Sequence, residues 1–214
     1  MADVPAVRLM PATAKGRETR QRIVDAAAEL IYERGVANVS LDDVRQATGT
    51  SKSQLYHYFD DKDSLAHAVI DRQEERVLAF HKPQLGSLSS WDDIRRWRDA
   101  VVEAQAGRGC RSGCPLGSLA NALAELDVAA REQLSDAFAT WEQLLADGLA
   151  GMARAGALRA DADPASLAVS TMASLQGGLL LAQVERNTGP LEVALDAAIA
   201  YLRSFAPSSP SSDR

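Results

Sequence analysis

Residues Ser40 to Lys62, SLDDVRQATGTSKSQLYHYFDDK, decide the fold. Ser40 is a favourable N-cap, and Asp43 three residues on can return a hydrogen bond to the cap's own N–H. A helix is therefore predicted from Leu41, with Leu41, Val44 and Ala47 on one side and Asp42, Asp43, Arg45 and Gln46 projecting elsewhere. Gly49 can close it in the left-handed conformation without a Cβ clash. Ser51 then caps a second short helix over about residues 52–58.

That second helix puts Leu55, Tyr58 and Phe59 on one face and leaves Lys52, Ser53, Gln54, Tyr56 and His57 outward or flanking. A helix-turn-helix needs this division, because one face packs on partner helices while the other enters the major groove of double-stranded DNA. Gln can bond adenine N6 and N7 together, Lys can donate to guanine, and Ser can serve either. Tyr and His suit phosphate oxygens, which set register without reading sequence.

Working outward, the segment TRQRIVDAAAELIYERG, Thr19 to Gly35, places Ile23, Ala26, Ala27, Leu30 and Ile31 at the spacing of one helical stripe. Arg17, Thr19 and Arg20 at its start are candidate phosphate contacts, or else solvated surface groups. After Phe59, Asp60 or Asp61 caps a fourth helix with Lys62 in its first turn, where a cation opposes the helix dipole. That helix is predicted to run to about Lys82 and stop at Pro83.

These residues resemble the tetracycline-repressor (TetR) family of one-component transcriptional regulators. The likeness rests on Thr19 to Gly35, Ser40 to Ala47, Gly49-Thr50-Ser51, and above all Leu55-Tyr56-His57-Tyr58-Phe59 followed by Lys62 and Leu65. It covers roughly the first third of the chain. Two positions depart from the usual pattern: Arg45 stands where such motifs keep a small Ala near the helix crossing, and Thr50 where the turn has Val. The resemblance implies an all-α protein with an N-terminal three-helix helix-turn-helix DNA-binding domain and a C-terminal helical ligand-binding and dimerisation domain. It implies a repressor that binds a palindromic operator as a homodimer, with Ser40 on the DNA-binding face and Lys62 near the DNA backbone.

The whole chain of 214 residues is long enough for that plan. Its boundaries are expected at 1–16 for a disordered basic arm, 17–64 for the DNA-binding domain with its motif at about 40–59, 65–206 for the second domain, and 207–214 for a disordered tail. The net charge of −6 is unusual for a DNA-binding protein, so its distribution matters. From Arg8 to Arg22 there are five basic residues against the single acid Glu18, whereas residues 84 to 214 carry 11 basic and 16 acidic. A local basic arm suffices for phosphate contacts, and an acidic remainder limits non-specific binding. No uninterrupted apolar run of membrane-spanning length stands out, and no apolar signal core opens the chain, so a cytoplasmic protein without a membrane partner is expected.

The second half reads as further helices. Ser90 caps one containing Trp91, Ile94, Trp97 and Val101; Cys114-Pro115-Leu116 opens another; a long one follows over about residues 129–155; and Asp163 with Pro164 opens the next. The last two, ending near Phe205, are rich in Ala, Gly and Leu over more than one stripe, which asks for burial on two sides. In a TetR-like protein that pair meets its copy across a two-fold axis; burial within a monomer is the alternative.

The resemblance also implies a small-molecule pocket, whose ligand shifts the spacing of the reading heads through the connecting helix. Trp97, Trp141, Met172, Gln176 and Leu179 are candidate ligand contacts, large adaptable groups with one amide to orient a hydrophobic or aromatic effector. Ordinary core packing is the alternative for each. Cys110 and Cys114, in the Gly-rich loop GRGCRSG and its edge beside Arg108 and Arg111, allow a thiol-based redox switch; otherwise Cys110 is a surface thiol and Cys114 a small helix-start residue. Two cysteines without nearby His or acidic ligands make a poor metal site, and no cofactor is expected. No phosphate loop, HExxH or serine elbow points to an enzyme. A ligand-independent architectural DNA-binding protein would leave the last 130 or so residues unexplained.

Overall fold

The computed structural model describes residues 11–207, and the regular elements among them are all helices. The helices are α1 (Ala14–Arg34), α2 (Leu41–Thr48), α3 (Lys52–Tyr58), α4 (Lys62–Leu85), α5 (Trp91–Gly107), α6 (Pro115–Leu123), α7 (Val128–Arg154), α8 (Pro164–Glu185) and α9 (Gly189–Arg203), with a 3-10 turn at Val36–Asn38 after α1. This is the all-α class that the sequence implies.

Local chemistry sets most helix starts. Ser40, Ser51 and Ser90 each form a full capping box, with Asp43, Gln54 and Asp93 returning the bond from the third helical position. Hydrogen bonds from Ser90 and Ser89 hold the Asp93 carboxyl down at about 2. Asp61 rather than Asp60 caps α4, accepting from Ser64 N–H at 2.7 Å. Asp163 and Pro164 open α8 as expected.

Two boundaries differ from the sequence reading. α1 begins at Ala14, inside the stretch expected to be an arm, because Thr13 accepts from Gly16 N–H and supplies a cap. α4 runs through Pro83 to Leu85. A proline that close to a C-terminus removes one hydrogen bond near the end of the helix, which the remaining turn tolerates. The expected arm up to residue 10 and the tail from residue 208 lie outside the described residues.

The described residues form two compact units that alternate along the sequence, one made of those up to Arg76 together with Pro115–Ala137, the other of Val77–Cys114 with those from Phe138 onward. The first unit thus extends past residue 64 and takes in α6 and the start of α7. Its core gathers Ile23, Val24, Ala27, Ala28 and Ile31 of α1 with Val44, Leu55, Phe59 and Leu65. The stripe on α1 is rotated slightly from the expected one: Val24 and Ala28 are fully buried, while Ala26 and Leu30 are half-buried. Arg72 and Arg76 of α4 both bond Asp25 of α1, at 2.7 and 2.9 Å. His67 of α4 sits between Gln133 and Asp127, with ring nitrogens 2.7 and 3.3 Å from their side-chain oxygens.

In the second unit α8 and α9 pack closely along their length. A Cβ on Gly178 would lie 3.0 Å from Leu191 Cα and Ala194 Cβ, so any larger residue would have to push the two helices apart by a few tenths of an ångström. Although interrupted by Ser, Thr and Gln, α8 is long and apolar enough to cross a membrane by length and composition, which the sequence reading did not pick out. Leu167, Ala168, Met172, Leu175, Gly178, Leu179 and Ala182 bury one side of it inside the protein. Its other side leaves Val169, Leu180, Leu181 and Val184 exposed, and Val193 and Tyr201 of α9 are exposed as well.

Candidate nucleic-acid interface

The two halves of the helix-turn-helix are joined by Thr48-Gly49-Thr50. Gly49 is left-handed at φ 65°, as the turn requires. Thr50, a polar residue in an apolar position, is 3% exposed and stays satisfied. Thr48 Oγ1 donates to Val44 O at 2.8 Å, so the 2.8 Å contact between the two hydroxyls has Thr50 as donor. Arg45, the other departure, is half-buried and pairs with Asp42 at 2.7 Å, folding back along α2. Of the side expected to be buried on α2, Val44 is inside, Leu41 is half-buried and Ala47 is exposed, because the turn threonines close that end instead.

Helix α3 is divided sharply by burial. Leu55 and Phe59 are 1% and 2% exposed, each such burial contributing roughly 1.5–3 kcal/mol, while Tyr58 is half-buried. Lys52, Ser53, Gln54, Tyr56 and His57 all lie on the exposed side. Gln54 also closes the cap of its own helix: Oε1 accepts from Ser51 N–H at 3.0 Å, which leaves the amide N–H groups for another partner. Lys52 Nζ sits 5.8 Å from the centre of the Tyr56 ring, and the His57 and Tyr58 rings meet edge to face at 5.0 Å.

Ser40, Tyr56 and Lys62 line one groove together with the carboxylates of Asp42 and Asp43. Lys62 Nζ reaches Ala37 O at 3.5 Å, a weak contact that an anion would displace easily. At the start of α1 the expected phosphate contacts divide. Arg20 lies over the Phe59 ring at 5.2 Å, which orients it toward α3. Arg17 folds back onto Pro11 and Ala12 carbonyls at 3.2 and 2.9 Å, and Thr19 bonds Lys15 O within its helix.

The expected effector residues fall in the second unit. Trp97 of α5 and Trp141 of α7 are buried and meet on His81 of α4, a residue that sequence reasoning missed. Trp97 Nε1 donates to His81 Nδ1 at 2.9 Å, and the Trp141 ring lies 4.6 Å from the imidazole at a tilt of 34°. Burial pushes the His81 pKa down to about 3, so the ring is neutral. Met172, Gln176 and Leu179 share one side of α8. Gln176 is half-buried, and its amide rests on Met172 Sδ at 3.7 Å. A fully buried amide lies at Gln105, on the same face of α5 as Trp97, and the four-residue steps from Trp97 through Val101 to Gln105 were the sequence signal that could have found it. Cys110 is also buried, where a surface thiol was one expectation.

A sequence model of bacterial regulatory proteins of the tetR family matches residues 23–69, and a model of the LmrA/YxaF-like transcriptional regulator C-terminal domain matches residues 91–197. An uncharacterized HTH-type transcriptional regulator in the lacX 3' region of Lactococcus lactis is 31% identical over 84% of this chain and 91% of its own length. The chain belongs to the TetR family of transcriptional regulators.

The HTH-type transcriptional repressor DhaR of Mycobacterium sp. (strain GP1) is 26% identical over 81% of this chain and 86% of its own. Among solved structures, the regulatory protein TetR from Rhodobacter sphaeroides superposes with a TM-score of 0.77 at 26% identity, covering 86% of this chain and 98% of that one. A TetR regulator from Chloroflexus aurantiacus does so at 0.75 and 28%, covering 88% and 96%. TetR regulators bind DNA through the helix-turn-helix and typically act as dimers, and repressors are among these relatives.

Proposed function

We propose that this protein is a cytoplasmic repressor that binds a palindromic operator as a homodimer and is released by a small hydrophobic or aromatic effector. The observation that carries the reading is the division of α3, with Leu55 and Phe59 inside and Lys52, Ser53, Gln54, Tyr56 and His57 outside. Gln54, Ser53 and Lys52 read base edges; Tyr56, His57, Ser40, Lys62, Arg17, Thr19 and Arg20 hold phosphates. The exposed apolar side of α8 and α9 supports a two-fold pairing with a second copy, since a patch of that kind is rarely left in water. Trp97, Trp141, Met172, Gln176 and Leu179 support effector binding in the second unit. α4, continuous from Lys62 to Leu85, carries its effect to the reading head.

A mobility-shift assay on DNA upstream of the protein's own gene, across a salt series and with hydrophobic compounds, tests this. Specific binding relieved by one compound is expected. Failure to bind any fragment at low salt rejects the repressor reading.

A thiol-based regulator is the second reading. It is supported by a strained loop in which Gly109, Cys110, Ser112 and Gly113 all have positive φ and which holds both cysteines. Burial of both thiols works against it, because buried thiols react slowly. Unchanged thiol titre and unchanged operator binding after mild peroxide would reject it.

A further inference from the structure

We propose that the buried face of α5 carries the polar end of the effector site, where Gln105 Nε2 donates a hydrogen bond to a neutral carbonyl oxygen of an apolar organic molecule. This rests on the effector-released repressor read above, and it names the chemistry of that effector.

Gln105 has no solvent exposure, and its Nε2 has no hydrogen-bond partner among the described residues. The orientation of the amide is set, because Oε1 accepts from the Arg108 guanidinium at 2.9 Å and the flipped amide would face donor to donor. A buried donor without a partner costs stability, and Ile94 and Val101 show that this face of α5 accepts aliphatic side chains. A glutamine kept there with Nε2 unpaired is suited to an acceptor that arrives from outside the chain.

The surroundings define that acceptor's molecule. Trp97, Val101 and Gln105 follow one another at four-residue steps along the buried side, so the Trp97 ring lies roughly 12 Å along the axis from Gln105. A molecule would need about that length to touch both. At the Trp97 end, His81 Nδ1 accepts from Trp97, so the neutral ring carries its proton on Nε2. The Arg108 guanidinium at this end of α5 is already bonded to Gln105 Oε1, so the donor left unpaired is a neutral amide N–H, which a neutral carbonyl oxygen matches. The site therefore fits a neutral ketone, ester or amide with an aromatic or aliphatic body.

Gln105 also anchors the loop that follows. Its backbone carbonyl accepts from Arg108 and Cys110 N–H at 3.2 and 2.9 Å, and Arg186 holds the Cys110 carbonyl from the far side at 3.2 Å. The loop leads directly into α6, which packs on the 3-10 turn just ahead of Ser40. The residue that meets the effector is thus the one that holds the lead into the DNA-binding unit.

Full-length wild type and Gln105→Leu are compared for binding, by tryptophan fluorescence, and for operator release. The probes are acetophenone and related neutral aromatic carbonyl compounds, their hydrocarbon counterparts such as ethylbenzene, and benzoate-type anions. The carbonyl set is expected to bind wild type about tenfold more tightly than the hydrocarbons, and Gln105→Leu to erase that preference while leaving hydrocarbon affinity unchanged. Without ligand, Gln105→Leu is expected to melt at or above the wild-type temperature. A fall of several degrees would reveal an internal partner for Nε2 and overturn the proposal. Carbonyl binding untouched by the substitution, or operator release by hydrocarbons or anions alone, would overturn it while the effector reading stands. Release by none of the three sets rejects both.

Discussion

Trp97 Nε1 donates a 2.9 Å hydrogen bond to His81 Nδ1, so two buried polar groups from α5 and α4 satisfy one another. The bond requires the neutral imidazole, and burial keeps it neutral by lowering its pKa to about 3. Because the folded value lies below the unfolded one, the unfolded chain takes up this proton first as pH falls. The stabilisation is complete above about 6.5 and is lost on acidification toward 3. His81→Gln, which keeps an acceptor for Trp97, should remove about 2 kcal/mol of the stability difference between pH 7 and pH 5. Urea denaturation of both proteins at the two pH values checks this, and parallel losses would mean that His81 is protonated when folded.

Gln54 and Lys62 should fail in different ways. Gln54→Ala is expected to relax preference at one base pair per half-site, losing roughly 1–3 kcal/mol of discrimination. Lys62→Ala should weaken all sequences alike and lower the salt slope by about one. Binding to a set of single-base operator variants separates the two. Unchanged specificity in Gln54→Ala would move the reading face elsewhere on α3.

Gly178→Ala should destabilise the second unit by roughly 1–3 kcal/mol, since the new methyl would sit 3.0 Å from Leu191 Cα on the facing helix. Ala is otherwise the better helix former, so a rise in melting temperature would show that α8 and α9 have room to separate.

Leu181→Asp and Val184→Asp place charges on the exposed apolar side of α8. Both variants should sediment as folded monomers with unchanged helical circular dichroism and much weaker operator binding. Dimers of wild-type mass would place the pairing surface elsewhere.

Much of the helix-turn-helix was legible because its signals are local. Ser40 with Asp43 and Ser51 with Gln54 are capping boxes complete within four residues, and Leu55 and Phe59 lie at one helical spacing. The start of α1 was missed because Thr13 looks like any polar residue before a basic stretch. Passage of α4 through Pro83 was missed because the rule that proline ends helices ignores how little is lost in a last turn. Among the polar side chains of the second unit, Gln176 lies on the apolar α8 and Gln105 on the apolar stripe of the charged α5, and only packing shows that the first is half exposed and the second enclosed.

By itself the sequence determined the helical class, the caps, the order of the elements and the outward face of α3, since these depend on residues within a turn or two of one another. Tertiary structure alone decided that His81 sits against Trp97 and Trp141, that Gln105 keeps a buried donor, that Cys110 is enclosed, and that α6 joins the DNA-binding unit. Those outcomes depend on segments distant in sequence meeting in space, and the burial and hydrogen bonding that follow are properties of the assembled core rather than of any stretch of chain.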